Sequence, residues 1–326
     1  MKLIFNRSKQ NPILTPQDLP FPAEAVLNPG AAEVDGEVVL LLRVEKTTGY
    51  SCIHVARSPN GVTDWKIHGE SFLKCPTTRW RYEQWGCEDP RVTYLSELKA
   101  WYVTYTAYSP SGAAVGLART TDFTDGERIG LIFSPNNKDA ALFPQKFDGR
   151  WAVLHRPDAG GGLENIWIAY SPDLTHWGEP HCVLLEGQGP AWDAERVGAG
   201  PPPVLTKHGW LLLYHGVKMY AGQSAYRVGA ALLDKDTPYK LIARSSDCLF
   251  KAHASYETTG LIPNVVFPTG LLLRGDELWM YYGAADTVVC LAVAKLQDVL
   301  DTLDGQDCPA DDAIERIPCR PVCRAT

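Results

Sequence analysis

Cationic and carboxylate side chains recur at matched places along this chain. Arg43, Lys138, Arg156, Arg196, His215, Tyr226 and Arg227 offer cationic or neutral donors, while Asp89, with Glu88 beside it, and Asp286 offer carboxylates. Carboxylates and arginines with aromatic neighbours (Trp80, Trp85, Trp192, Tyr220) are what a carbohydrate pocket uses: polar groups hold the hydroxyls and rings cover the apolar faces of a sugar. The excess of cations asks for an anion as well. Planar guanidinium forks suit phosphate, and His and Tyr supply further donors to its oxygens. Structural arginine–carboxylate pairs compete for the same residues and are expected to claim some of them.

Other chemistries fit poorly. The run GGGLEN from Gly160 has no strand-to-helix unit after it, so it is not a phosphate loop. AYSPSG around Ser109 lacks the G-x-S-x-G pattern of a nucleophile elbow, and the eight histidines lack H-x-x-x-H spacing. GAGPPP from Gly198 loses to its prolines the amide donors that a dinucleotide loop needs.

The elements that must position these residues are strands. A short alternating run recurs at residues 53–59, 115–121, 166–172, 228–234 and 290–296. Each is preceded by a second run rich in β-branched and aromatic residues, at 38–44, 100–106, 150–156, 209–215 and 277–283. Turn pairs such as Asp35-Gly36 and Asp148-Gly149 stand before most of these, and before each turn lies a third element opening near Pro or Gly. The repeat is a β-meander of roughly 55 to 60 residues, within reach of the longest propeller repeats. None of the five copies can bury both faces alone, which predicts an all-β, five-bladed β-propeller in place of a sandwich or two stacked β domains. We expect one domain over residues 1–326, with repeats over about 28–303, a short helix near 296–303, and tails at 1–27 and 304–326 outside the repeats.

In such a fold, residues at one phase of different repeats converge. One set is Asn28, Glu88 with Asp89, Asp139, Arg196 and Asn264. The other is Arg43, Tyr105 with Tyr108, His155 with Arg156, Tyr214 with His215, and Tyr282 leading to Asp286. A turn role explains any single member, but not two sets in phase.

The 326 residues carry a formal charge of −7 with no like-charge run, which disfavours nucleic acid as a partner. The N-terminal apolar run is broken by Asn6, Arg7 and Lys9, and no stretch is long enough to span a membrane, so neither export nor a membrane partner is expected. Nine irregularly spaced cysteines, with Cys319 and Cys323 lacking a second pair, read as reduced thiols of a cytoplasmic protein.

Over residues 28–300, the motifs NPGA, CEDPRV, NKDAALFP, HRP, VGAGPPP, YHG, YRVGAALLD, PNVVFP and YYGAADT occur in order. In these the chain resembles the inverting β-mannoside phosphorylases of glycoside hydrolase family 130, which are five-bladed propellers. The resemblance implies that Asp89 is the single catalytic acid, its proton reaching the glycosidic oxygen through the mannose 3-hydroxyl. It implies a mannosyl subsite of Asn28, Arg43, Asp89 and Asp286, and a phosphate subsite of Asn137, Lys138, Arg156, Arg196, His215 and Tyr226. Arg196 stands where many relatives carry Lys. An inverting hydrolase needs a second carboxylate as base, whereas phosphate arrives already anionic. The resemblance thus implies phosphorolysis without metal or cofactor, inorganic phosphate being the co-substrate, on β-1,4-mannosides such as mannosyl-N-acetylglucosamine or manno-oligosaccharides. The alternatives are β-1,2-mannoside phosphorolysis, an inverting β-mannosidase, and a sugar-binding propeller without catalysis. Acceptor choice falls to residues 77–86 and 219–224. The relatives also form homo-oligomers, and a propeller leaves wide faces for that.

Overall fold

The computed structural model describes residues 3–74, 80–158, 164–220 and 222–303. The protein is nearly all β. After β1 (Asn6–Arg7), the strands β2 (Ala23–Val34), β3 (Glu37–Lys46), β4 (Ser51–Ser58) and β5 (Lys66–Ser71) form a first antiparallel meander. The second is β6 (Gly86–Leu95), β7 (Ala100–Ser109), β8 (Gly112–Thr120) and β9 (Glu127–Phe133). The third is β10 (Asn137–Phe147), β11 (Arg150–Pro157), β12 (Ile166–Ser171) and β13 (Gly178–Leu184). In the fourth, β14 (Arg196–Ala199) and β15 (Val204–Thr206) both pair with β16 (Gly209–Tyr220), followed by β17 (Gln223–Leu233), β18 (Leu241–Arg244) and β19 (Phe250–Lys251). After α1 (Ser255–Thr258), the fifth is β20 (Val266–Arg274), β21 (Glu277–Ala284) and β22 (Val288–Lys295), and α2 (Leu296–Leu300) follows. The expected five repeats and short helix are therefore present. Residues 1–27 do not all stand outside the repeats: β1 pairs with β22 as the outer strand of the fifth sheet, and β2 begins at Ala23. The expected C-terminal tail, with Cys319 and Cys323, lies outside the described residues.

Alternation along the strands explains how five meanders make one core. Val39 and Leu41 of β3 enter a cluster with Val103 and Tyr105 of the second meander, whereas Leu40 and Leu42 enter another with Tyr281 and Leu291 of the fifth. Side chains of a strand alternate between faces, and here both faces are buried, so VVLLL reads as a continuous apolar run. Further clusters join the second meander to the third, the third to the fourth and the fourth to the fifth. The apolar packing thus returns to its start.

The first strands lie side by side without a backbone ladder between most of them, and side chains bridge them instead. Thr93 on β6 donates to the carbonyl of Leu142 on β10 at 3.0 Å, and Thr269 on β20 donates to that of Pro29 on β2 at 3.1 Å. At Gly30 a Cβ would come within 2.7 Å of the Pro90 carbonyl oxygen, so this approach of β2 to β6 admits only glycine.

Three meanders share a buried staple. A second-strand tyrosine donates to a carboxylate from the segment before the first strand, and an outer-strand arginine pairs with the same carboxylate. The sets are Tyr105–Glu83–Arg128, Tyr214–Asp193–Arg244 and Tyr282–Glu257–Arg7. In the last, Arg7 binds Glu257 bidentately at 2.8 and 2.7 Å, and the amides of His253 and Ala254 donate to the same carboxylate at 2.7 and 2.9 Å. Tyr105, Tyr214 and Tyr282, expected in the converging set, therefore turn to structural carboxylates instead, beside arginine–carboxylate pairs of the kind expected to compete.

Glu257 is fully buried with Arg7 as its counter-ion, so Glu257→Ala should strand that guanidinium and destabilise the protein by roughly 3–5 kcal/mol in urea unfolding.

Candidate active site

Three first strands carry the same local device. Asn28 in β2, Asp89 in β6 and Asp139 in β10 adopt left-handed backbone, with φ of 43°, 49° and 54°. Each sits where the register to the next strand slips, between Leu27 and Gly30, Glu88 and Arg91, and Lys138 and Ala141. A bulge re-aims a side chain, and Asn and Asp tolerate this conformation better than other residues with a Cβ. Three of the five positions of that in-phase polar set are thus bulges that turn short polar side chains away from the ladder, whereas Arg196 opens β14 in regular register and Asn264 precedes β20.

Around Asp89 the groups are mainly acidic. Its Oδ1 accepts from Asn28 Nδ2 at 2.8 Å and from Arg43 Nη1 at 3.1 Å. Arg43 also donates to Glu88 at 3.0 Å and to Ser51 Oγ at 3.0 Å, and Ser51 donates to Glu45 at 2.5 Å. Burial alone would lower the Arg43 guanidinium, but Glu88, Asp89, Glu45 and Asp286 outweigh it and raise it. Burial likewise raises the Glu88 carboxyl, against the pull of Arg43. It pushes the Asp286 carboxyl up to about 6, with Asp89 adding to the rise and Arg43 opposing it. Arg43, Glu45, Glu88 and Asp286 line a cavity of about 500 Å³, together with Trp85 and Tyr108 and with Leu27, Leu261 and Ile262. Trp85 and Tyr108 meet edge to face at 5.1 Å.

A second group is cationic. Asp139, 1% exposed, lies 3.1 Å from Arg91 Nη2, 2.9 Å from Arg156 Nε and 3.6 Å from His215 Nε2. Burial would raise its carboxyl, but these neighbours and Lys138 hold it well below the usual range. Arg156 also pairs with Glu164, and Arg196 reaches Glu164 at 3.8 Å and donates to the Tyr226 hydroxyl at 2.8 Å. His215 is fully buried, and burial drives its imidazole down to about 3, so it is neutral at pH 7. Neither of its ring nitrogens has a hydrogen-bond partner among the described residues. A Cβ on Gly198 would meet His215 Cε1 at 2.4 Å and Asp139 Oδ2 at 2.5 Å, which is why glycine opens GAGPPP. Exposed Lys138 acts on Glu88 and Asp286 as well as on Asp139 and His215, so it stands between the two groups.

The structure therefore brings Asn28, Arg43, Asp89 and Asp286 together, and Arg156, Arg196, His215 and Tyr226 together. The Asn137 amide lies 3.0 Å from Nδ1 of His155, a ring stacked on Phe133. Of the aromatic candidates, Trp85 lines the cavity, while Trp192 is buried against Tyr214 and serves packing. Trp80 lines a separate cleft, and Tyr220 carries Arg227 at 4.8 Å from its ring centre. Of the expected acceptor segments, residues 77–79 and 221 lie outside the described residues. Sequence reasoning missed Arg91, Glu45, Glu164 and the pair Leu261–Ile262. Arg91 was within reach, since it follows Asp89 in CEDPRV; Glu164 follows a glycine run that gave no signal of its own.

Residues 7–305 match the model of glycoside hydrolase family 130, described as β-1,4-mannooligosaccharide phosphorylase. The chain belongs to this family. Among family members, a β-1,2-mannobiose phosphorylase of Listeria innocua is 33% identical, with 91% of this chain and 98% of that protein covered. A β-1,4-mannooligosaccharide phosphorylase of Ruminococcus albus is 32% identical, with 90% and 89% covered. The solved structure of β-1,2-mannobiose phosphorylase from Listeria innocua with β-1,2-mannobiose superposes with a TM-score of 0.83 at 32% identity, covering 94% of this chain and all of that one, 100%.

The raised Asp286 carboxyl has a stability signature. A carboxyl whose folded value lies above its unfolded one favours the native state below the unfolded value, and that contribution is lost as pH rises through about 6. Asp286→Asn removes the titration. Its stability relative to wild type, followed by urea unfolding against pH, should therefore rise between about pH 4 and pH 6 and level off above.

Proposed function

We propose that this protein is an inverting β-mannoside phosphorylase that converts a β-mannoside and inorganic phosphate to α-mannose 1-phosphate and the shortened sugar. The observation that carries the reading is the juxtaposition of a buried acid, Asp89, paired with Arg43 at the side of an acidic cavity, with a cationic group built on Arg156, Arg196 and His215. Asn28, Arg43, Asp89 and Asp286 would hold the mannosyl unit. Lys138, Arg156, Arg196, His215 and Tyr226 would hold phosphate, with Asn137 at their edge. A phosphate oxygen attacks the anomeric carbon, the glycosidic bond breaks, and the leaving oxygen takes the proton of Asp89. Both contacts to Asp89 fall on Oδ1, which leaves Oδ2 to carry that proton. No cofactor or metal enters the scheme.

A hydrolase would need a carboxylate base on the phosphate side. Glu164 is a candidate, but its two oxygens face Arg156 and Arg196 and are engaged there in place of an attacking water. For the linkage, β-1,4 has the support of the family description and of the Ruminococcus relative. A second reading, β-1,2, has that of the Listeria relative and its structure.

The five meanders are best arranged as the blades of one propeller over the whole chain, a reading supported by the five apolar clusters and by β20 packing back on β2. Cys182, Cys248 and Cys290 stand as thiols, which suits a cytoplasmic enzyme.

Purified protein should form mannose 1-phosphate from mannosyl-β-1,4-N-acetylglucosamine or from β-1,2-mannobiose only when phosphate is present. Free mannose formed with or without phosphate would instead establish hydrolysis. Asp89→Asn should abolish turnover while thermal unfolding shows the fold retained. Arg156→Ala should raise the KM for phosphate more than that for mannoside, and equal effects would assign Arg156 a structural role.

A further inference from the structure

Glu164 is a carboxylate in the middle of a cationic group that is otherwise suited to an anion. One oxygen pairs with Arg156 Nη1, and the other lies 3.8 Å from Arg196 Nη1. It is 20% exposed, and its backbone is tied to β14, where the amide of Val197 donates to its carbonyl at 2.9 Å. Each arginine also has a contact apart from Glu164. Arg156 keeps Asp139 at 2.9 Å from Nε, and Arg196 keeps the Tyr226 hydroxyl at 2.8 Å from Nη2. Glu164 thus engages guanidinium nitrogens, Nη1 of each arginine, other than those that meet Asp139 and Tyr226. Beside them, fully buried His215 has two ring nitrogens without partners among the described residues, so the group has donor capacity that those residues do not use.

We propose that the Glu164 carboxylate stands in for phosphate while the site is empty, and that it yields Arg156 and Arg196 to phosphate on binding, so that Glu164 sets the affinity for phosphate. The inference rests on the phosphorylase reading for its ligand. The charges agree with it. Arg91, Arg156, Arg196 and Lys138 face Asp139 and Glu164, with His215 neutral, which leaves a net positive charge of two for an incoming dianion. A carboxylate close to that dianion repels it, and removing the carboxylate's charge removes the competition. A residue that merely held the arginines would act in the opposite direction.

The test is Glu164→Gln, read in two ways. Steady-state kinetics give separate KM values for phosphate and mannoside. Protection against thermal unfolding by inorganic phosphate gives a binding midpoint without turnover. The phosphate KM and the protection midpoint should both fall, by about 5-fold, with the mannoside KM little changed. A phosphate KM or midpoint that is unchanged or raised in a folded variant overturns the inference. Should Glu164→Gln fail to fold, Glu164→Asp, which draws the charge back by one methylene, should still lower the midpoint, and no fall would overturn the inference equally. A wild-type protein that phosphate protects but that forms no mannose 1-phosphate would refute the phosphorylase reading, leaving the midpoints to decide the role of Glu164. Absence of protection by phosphate in both wild type and variant would refute the inference itself.

Discussion

One buried guanidinium sets the distance between the acidic and the cationic groups. Arg91, 1% exposed, donates to the carbonyl of Asp89 at 3.0 Å, to Asp139 at 3.1 Å, and to the carbonyls of Gly200 and Ala199 at 3.0 and 3.2 Å. It therefore joins the second, third and fourth meanders at the level of the bulges. A buried charge without partners costs several kcal/mol, so each of these contacts must be kept for the fold to tolerate Arg91. Asp89 and Asp139 are held by one side chain, and the two groups cannot drift apart independently.

The site is an arrangement of charges that cancel in pairs and then fail to cancel in two places. In the acidic group, Arg43, with exposed Lys138 beyond it, faces Glu45, Glu88, Asp89 and Asp286, and burial together with this shortfall of positive charge raises the Asp286 carboxyl. In the cationic group the shortfall is reversed, and the depressed Asp139 carboxyl records it. Both imbalances persist because the low-dielectric surroundings that strengthen each pair also make each uncompensated charge expensive. They are the natural places for a ligand whose own charges complete the pattern.

The strands were legible because both their faces are buried, which makes even short runs such as VVLLL and WLLLY stand out. Phase was legible for the same reason: once the repeats are aligned, Arg43, Arg156 and His215 fall on corresponding rungs, opposite Leu27, Lys138 and Gly198. What alignment does not convey is direction. Tyr105, Tyr214 and Tyr282 share a phase with the site residues but sit one position away, and a shift of one residue turns a side chain to the other face. Contacts between meanders were equally hidden, since Arg91 meets Asp139, Ala199 and Gly200, and Glu164 meets Arg196, across meanders far apart in sequence. The role of β1 was hidden because two paired residues leave no periodic pattern to read.

The pairing of β1 with β22 also has a bearing on how the chain comes to be folded during synthesis. Asn6 and Arg7 leave the ribosome early, yet their partners Val293 and Ala292 come near the end of the described chain, as does Glu257, which Arg7 must neutralise. Until then β1 has no strand to pair with, and once β22 has emerged its edge stays open to pairing with another chain until β1 docks on it. Contacts of such sequence separation form late and slowly. The first four meanders are therefore free to assemble as the chain emerges, and the final closure becomes the step at which a nascent molecule is most exposed to association with its neighbours.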